Sequence, residues 1–415
     1  MPSLKPLTSA LLAAGVLTLS TLPLAAQAKG FIDDTKVSLN LRNYYINRDF
    51  RDPSNSQSRA EEWTQSFILN IQSGYTPGPV GFGVDALGLF SVKLDGGKGT
   101  RGTQLLPVHD DGRPADDFGR LAVAAKAKLS KTELKVGELF PVLPILRADD
   151  GRSLPQTFQG GMLTSTEIDG LTLHAGQMRQ TSTRNDASME DMTAFGAASD
   201  RFNYLGGEYA FNDKRTLIGL WNAELKDIYS QQYFNVVHSQ PLGDWTLGAN
   251  VGYFIGREDG SELAGELDNK TLSGLFSAKV GSHAFYVGLQ KVSGDNGWMR
   301  VGGTSGGTLG NDSFNSSFDN ADERSWQARY DYNFAGVGIP GLVSMIRYIH
   351  GEDVDAGGVD DGKEWIRDFE LAYTVQAGPL KNLNVRWRNS SVRRDWNNSD
   401  FDENRLIFNY PLSIL

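Results

Sequence analysis

Apolar and polar residues alternate one for one along many stretches of this chain. Trp326, Ala328, Tyr330, Tyr332 and Phe334 interleave with Gln327, Arg329, Asp331 and Asn333. Leu383, Val385 and Trp387 interleave with Asn384, Arg386 and Arg388, and Leu406, Phe408 and Tyr410 with Arg405, Ile407 and Asn409. Stretches 246–253 and 369–375 repeat the pattern. Side chains of a strand point to opposite faces in turn, so each stretch predicts a strand with one apolar face. No helical periodicity is sustained beyond short stretches. The fold class is therefore all-β. Soluble sandwiches alternate too, with the apolar face inward. Here the stretches run to roughly 9–11 residues, the length of a tilted membrane-crossing strand. Aromatics (Tyr330, Tyr332, Trp387, Tyr410) end the apolar faces, as interfacial girdles require.

The N-terminus favours the membrane. Lys5 is the sole charge in the first 28 residues, an apolar run covers 7–24, and Ala26-Gln27-Ala28 fits a small-x-small cleavage site. Residues 1–28 are expected to be a secretory signal peptide, and 29–415 a single barrel domain. No later stretch approaches ~18 consecutive apolar residues, so a spanning helix is not expected.

The connections set the strand number. Tight turns are expected at 75–80, 130–131, 167–170, 212–214, 241–244, 281–282, 335–341 and 378–381. A barrel with both ends on one side has one fewer short turn than half its strands, so eight turns give about 18 strands. Sixteen strands is the alternative count. The longest outer connections are expected at 96–118, 140–160, 292–324, 351–365 and 390–403. Stretch 140–160 opens with large apolar residues and then turns charged, which suits a loop folded into the lumen more than one left in water.

Composition sharpens this picture. The chain has 415 residues, net charge −10, 47 Gly and no Cys. Missing Cys excludes disulfides, thiolate metal sites and Cys nucleophiles. An acidic balance argues against a nucleic-acid partner. The charge is expected to be sorted by face. Arg42, Arg48, Lys126, Lys128, Lys135, Lys279, Arg329, Arg347, Arg386, Arg388 and Arg405 fall on inward faces, against the acids Glu133, Asp331 and Glu370. The remaining acids are expected in outer loops, as in 351–365 and 257–270. Basic rings in a pore favour anions, and the planar fork of Arg suits carboxylates. The five histidines show no metal-ligand spacing. Gly-rich 301–310 lacks the Lys-Ser/Thr of a phosphate loop and is expected to be a flexible loop.

Several segments resemble the OprD-type outer-membrane carboxylate channels of Gram-negative bacteria. They are 134–137 (Leu-Lys-Val-Gly), 147–160 with its Leu-Pro-Gln-Thr-Phe-Gln-Gly end, 167–177, 323–326, 329–334 and 405–412. The resemblance implies an 18-stranded transmembrane antiparallel β-barrel, monomeric or loosely trimeric, with an inward-folded constriction loop facing a ladder of basic residues. Carried over, the ladder comprises Arg48, Arg152, Arg184, Arg300, Arg386, Arg388 and Arg405, with Asp149 and Asp150 on the opposing loop. Arg386, Arg388 and Arg405 also point inward by alternation. Arg152 rests on the loop motif, and Arg184 and Arg300 on approximate position.

The function expected is passive uptake of small carboxylates, aromatic or cyclic and benzoate-like, across the outer membrane. It needs no metal or cofactor, and the partners are the solute and outer-membrane lipid. The alternative within the family is a porin for basic amino acids such as arginine. Alternatives of other classes are an outer-membrane lipid hydrolase, which would pair Ser or Asp with His near the rim, and a structural barrel with a plugged lumen.

Overall fold

The computed structural model describes residues 30–415, so the expected signal peptide at 1–28 lies outside the described residues. Eighteen strands form one closed sheet. They are β1 (Lys36–Phe50), β2 (Arg59–Gln72), β3 (Val80–Asp95), β4 (Asp117–Leu129), β5 (Thr132–Leu139) and β6 (Thr157–Ser165). Next come β7 (Leu171–Ser182), β8 (Phe202–Phe211), β9 (Thr216–Leu225), β10 (Tyr229–Leu242), β11 (Trp245–Glu258) and β12 (Asp268–Val280). Last are β13 (His283–Ser293), β14 (Arg324–Asn333), β15 (Leu342–Ala356), β16 (Val359–Thr374), β17 (Asn384–Arg394) and β18 (Phe401–Ser413). Consecutive strands pair antiparallel, and β18 closes on β1 from Ser38↔Ser413 to Phe50↔Phe401. The count is eighteen, not sixteen. All eight expected turns fall between consecutive strands at one end of the barrel.

Strand β4 shows why the sheet closes with its apolar face outward. Leu121 and Val123 are 68% and 46% exposed, while Ala122 and Ala124 between and beside them are 2% and 3% exposed. Trp63, Trp245, Trp326 and Trp387 also stand on the outer surface. His283, Phe285, Tyr330 and Tyr332 cluster beside the short turns, with the Phe285 and Tyr330 ring centroids 5.1 Å apart. These rings suit a lipid headgroup boundary.

One expected outer loop is a hairpin. Strands β15 and β16 continue through 351–365, leaving only Gly357 and Gly358 between them. Both have positive φ, +62° and +85°, which a tight two-residue hairpin turn demands and glycine supplies without strain. The acid-rich segment is thus paired strand.

Connections 96–116, 140–156, 183–201 and 294–323 all bury side chains inside the barrel, and two of them supply most of the loop side of its central cavity. Residues 140–156 form a small hairpin, Val142–Leu143 against Leu146–Arg147. Leu143, Ile145, Leu146 and Leu154 are buried against the inner wall. Each such burial is worth roughly 1.5–3 kcal/mol, so four apolar anchors hold the loop inward. The second is 294–323, and it corrects the expectation of a flexible glycine-rich loop. Val301 and Leu309 are buried. Gly302 N–H donates to Thr193 O, Ser305 N–H to Arg147 O, and Thr308 Oγ1 to Pro144 O. The glycines let this segment lie flat on the other inward loop.

Val123 sits mid-strand on the outer face. Val123→Arg is expected to destabilise the barrel by about 2–4 kcal/mol, as a cation at the bilayer midplane does. Denaturant unfolding in lipid vesicles checks it.

Candidate functional site

The two inward loops and one side of the wall enclose a cavity of about 1110 Å³. Twelve arginines line it: 42, 48, 147, 152, 184, 300, 329, 347, 386, 388, 394 and 405. Four acids join them: Asp149, Asp150, Asp312 and Asp319. The arrangement follows from strand order and parity. Arg386 and Arg388 are two apart on β17 and share its inward face. Arg388 lies directly opposite Arg405 of β18, and β18 pairs β1, which carries Arg42 and Arg48. Three adjacent strands therefore hold five guanidinium groups side by side. The loops supply Arg147, Arg152, Arg184 and Arg300.

All nine residues singled out from sequence line this cavity: Arg48, Arg152, Arg184, Arg300, Arg386, Arg388, Arg405, Asp149 and Asp150. Arg184 and Arg300, placed only by approximate position, are among them. Sequence reasoning left Arg42, Arg147, Arg329, Arg347, Arg394, Asp312 and Asp319 out of the site. Arg42, Arg329 and Arg347 are legible as inward by alternation, whereas Arg394 falls in 390–403, expected to be a loop, and stands on strand β17. Arg147, Asp312 and Asp319 sit on loops, where no periodicity tells in from out.

The sorting of charge needs correction. Acids are not confined to outer loops, and three inward acids are too few. Asp85, Glu138, Glu364, Asp368 and Glu403 also point into the barrel from strands. Asp85 holds Lys126 at 2.6 Å and Lys135 at 2.7 Å. Glu138 holds Arg120 at 2.9 Å, Glu364 holds Arg394 at 2.7 Å and Asp368 holds Arg347 at 2.5 Å. Glu403 serves Arg48 at 2.8 Å and Arg405 at 2.5 Å. The reason is desolvation: a guanidinium pressed against the wall needs a counter-charge. The loop acids are held likewise. Arg42 meets Asp150 at 2.8 Å, Arg184 meets Asp149 at 2.8 Å and Arg300 meets Asp319 at 3.1 Å.

The pairing is incomplete in a specific place. Arg388 Nε meets Glu370 at 2.5 Å, and Arg386 stands 3.6 Å from the same carboxylate. Two cations thus share one anion. Among the described residues, no acceptor meets the terminal amino groups of either arginine. Arg152 has no carboxylate partner among the described residues. Its Nε donates to Thr103 O at 2.8 Å and its Nη1 to Gly151 O at 2.9 Å. Burial first, then the neighbouring Arg405 and Arg184, bring its pKa down to about 9.

An arginine-lined lumen inside a closed 18-strand barrel is the framework of a selective channel. Residues 29–414 match the family described as outer membrane porin, OprD family. The chain belongs to the OprD family. It is an outer-membrane porin, a passive channel for small solutes. Among curated relatives, the porin-like protein GalP of Pseudomonas putida is 64% identical over 400 residues, covering 95% of this chain and 96% of the relative. Among solved structures, a BenF-like porin from Pseudomonas fluorescens Pf-5 is 66% identical with a TM-score of 0.92, covering 93% of this chain and 100% of that one. Pseudomonas aeruginosa OpdK, solved with vanillate, is 56% identical with a TM-score of 0.89, over 92% of this chain and 100% of that one. Pseudomonas aeruginosa OccK2 (OpdF), solved in complex with glucuronate, is 61% identical with a TM-score of 0.86, over 93% and 100%.

In this porin the loop carboxylates do not all titrate in the same pH range. Burial would raise Asp149, but Arg184 and the Gly151 N–H hold it below the usual carboxylate range. Asp312, on the second inward loop, is pushed up to about 6 by burial, against the pull of Ser317, Arg347 and Arg300. A carboxylate with a raised pKa gains its proton as pH falls through that value, which removes a negative charge from the lumen. Anion selectivity is therefore expected to rise between pH 7.5 and 5. Reversal potentials in planar bilayers under a salt gradient measure it. Asp312→Asn is expected to show the higher selectivity already at pH 7.5 and a smaller change with pH.

Proposed function

We propose that this porin carries small aromatic or cyclic carboxylates of the benzoate type, with Arg386 and Arg388 as the main carboxylate-binding fork. The observation that carries this reading is the unmet donor set. Two guanidinium groups that line the cavity share Glu370, and no acceptor among the described residues meets their terminal amino groups. A solute carboxylate would supply the missing acceptor in the plane of the guanidinium, where charge-assisted hydrogen bonds are strongest. Arg48, Arg405, Arg152, Arg184 and Arg300 extend the positive surface above and beside the fork. Binding at each step is weak, because most of these cations already have a partner. Weak successive sites are what a passive channel needs for release. Vanillate and glucuronate, seen with two relatives, each carry a carboxylate on a six-membered ring, which supports the ring preference. A basic amino acid would need a free acidic pole; of the four cavity acids, Asp149, Asp150 and Asp319 are each engaged by an arginine, and Asp312 accepts from Ser317 Oγ at 2.8 Å. Residues 1–28 are proposed to be removed on export.

Uptake into proteoliposomes tests the fork. Arg386→Gln with Arg388→Gln is expected to lower benzoate permeation about ten-fold or more, the scale of losing a charge-assisted pair. Benzamide, its neutral analogue, should change less than about two-fold by the same reasoning. Equal loss of both solutes would mean that the arginines only hold the lumen open.

A further inference from the structure

We propose that Phe314, at the tip of the second inward loop, reads the ring of the permeating solute. This rests on the carboxylate reading above and adds a residue of a different kind to it. Three arginines from three strands converge on the Phe314 ring. The Cζ atom of Arg388 lies 4.1 Å from its centroid, that of Arg347 5.1 Å and that of Arg405 5.8 Å. The ring's place is fixed by its backbone. Phe314 N–H donates to Asp368 Oδ2 at 3.4 Å, and its carbonyl accepts from Arg405 Nη2 at 2.9 Å. The next residue is pinned as well: Asn315 Nδ2 donates to Glu403 Oε1 at 3.1 Å, and its Oδ1 accepts from Arg405 Nη2 at 2.7 Å.

The ring is half-buried and borders the cavity. The Arg388 guanidinium carbon lies over the ring's electron-rich face, a cation–π contact. With Nε on Glu370, the open edge of Arg388 is its terminal amino pair. A carboxylate bound there carries its ring alongside Phe314. Aromatic rings meet favourably edge-on or offset, whereas a saturated ring of equal size gains only the apolar contact. Charge is then selected by the barrel wall, and ring character by a loop residue held against that wall.

The test compares benzoate, cyclohexanecarboxylate and benzamide in proteoliposome uptake. Phe314→Leu keeps apolar bulk and removes the π face. It is expected to lower the benzoate-to-cyclohexanecarboxylate ratio about three-fold or more, the scale of one aromatic pair. The benzoate-to-benzamide ratio should hold within about two-fold, since the arginines remain. Phe314→Tyr, which keeps the ring, should retain both ratios. An unchanged first ratio in Phe314→Leu overturns the proposal. So does a joint collapse of both ratios, which would make Phe314 a prop for the arginines. Failure of the carboxylate reading appears separately, as a wild-type porin that does not prefer benzoate to benzamide.

Discussion

Closure of the sheet is the constraint on which the rest depends. In lipid no water can satisfy a free backbone N–H or C=O, so an open edge is not tolerated. Pairing β18 with β1 removes the last edge. Once the sheet is closed, side-chain parity has two fixed destinations, lipid and lumen. The lumen of an 18-strand barrel is too wide for wall side chains alone to fill. The two inward loops narrow it; the first stays because its apolar residues find no better place than the inner wall, and the second is tied down by hydrogen bonds to the rest of the lumen.

Narrowing the lumen raises the cost of every charge left in it. An arginine against the wall and under a loop loses water and must recover hydrogen bonds from protein. The acids on β16 and β18 follow from this. Glu364, Asp368 and Glu370 occupy one inward face at spacings of four and two, and each meets an arginine of a neighbouring strand. The lumen is therefore a lattice of pairs in which cations outnumber anions. What a solute feels is the remainder, and it is concentrated where one carboxylate serves two arginines.

The sequence disclosed whatever periodicity governs. Strand number, the short turns and the inward parity of Arg386, Arg388 and Arg405 all follow from alternation and turn chemistry. The apolar opening of 140–160 announced its inward fold, because hydrophobic side chains have a definite preference. The opposite case is 294–323. Its glycines, serines and asparagines have no such preference, and its inward path is set by hydrogen bonds to Arg147, Thr193 and Pro144, far away in the chain. Phe314 and Asp312 were invisible for that reason. The inward acids were a different omission. Asp368 and Glu370 share parity on β16, yet clear alternation begins only at Phe369, and the acids and glycines around Glu364 read as a loop although the segment is strand.

On the carboxylate reading proposed above, shared counter-ions would let the channel select its solute and still release it. Glu403 divides its charge between Arg48 and Arg405, as Glu370 does between Arg386 and Arg388. A fully paired arginine would ignore a passing carboxylate. A wholly unpaired one, desolvated in a narrow lumen, would bind it too tightly. Half-compensation lies between these limits. It leaves each guanidinium charged, offers part of its donor set, and lets the protein carboxylate reclaim the cation as the solute moves on. On that reading, selectivity resides less in the number of arginines than in how few acids they share, a quantity set by strand register and so by closure itself.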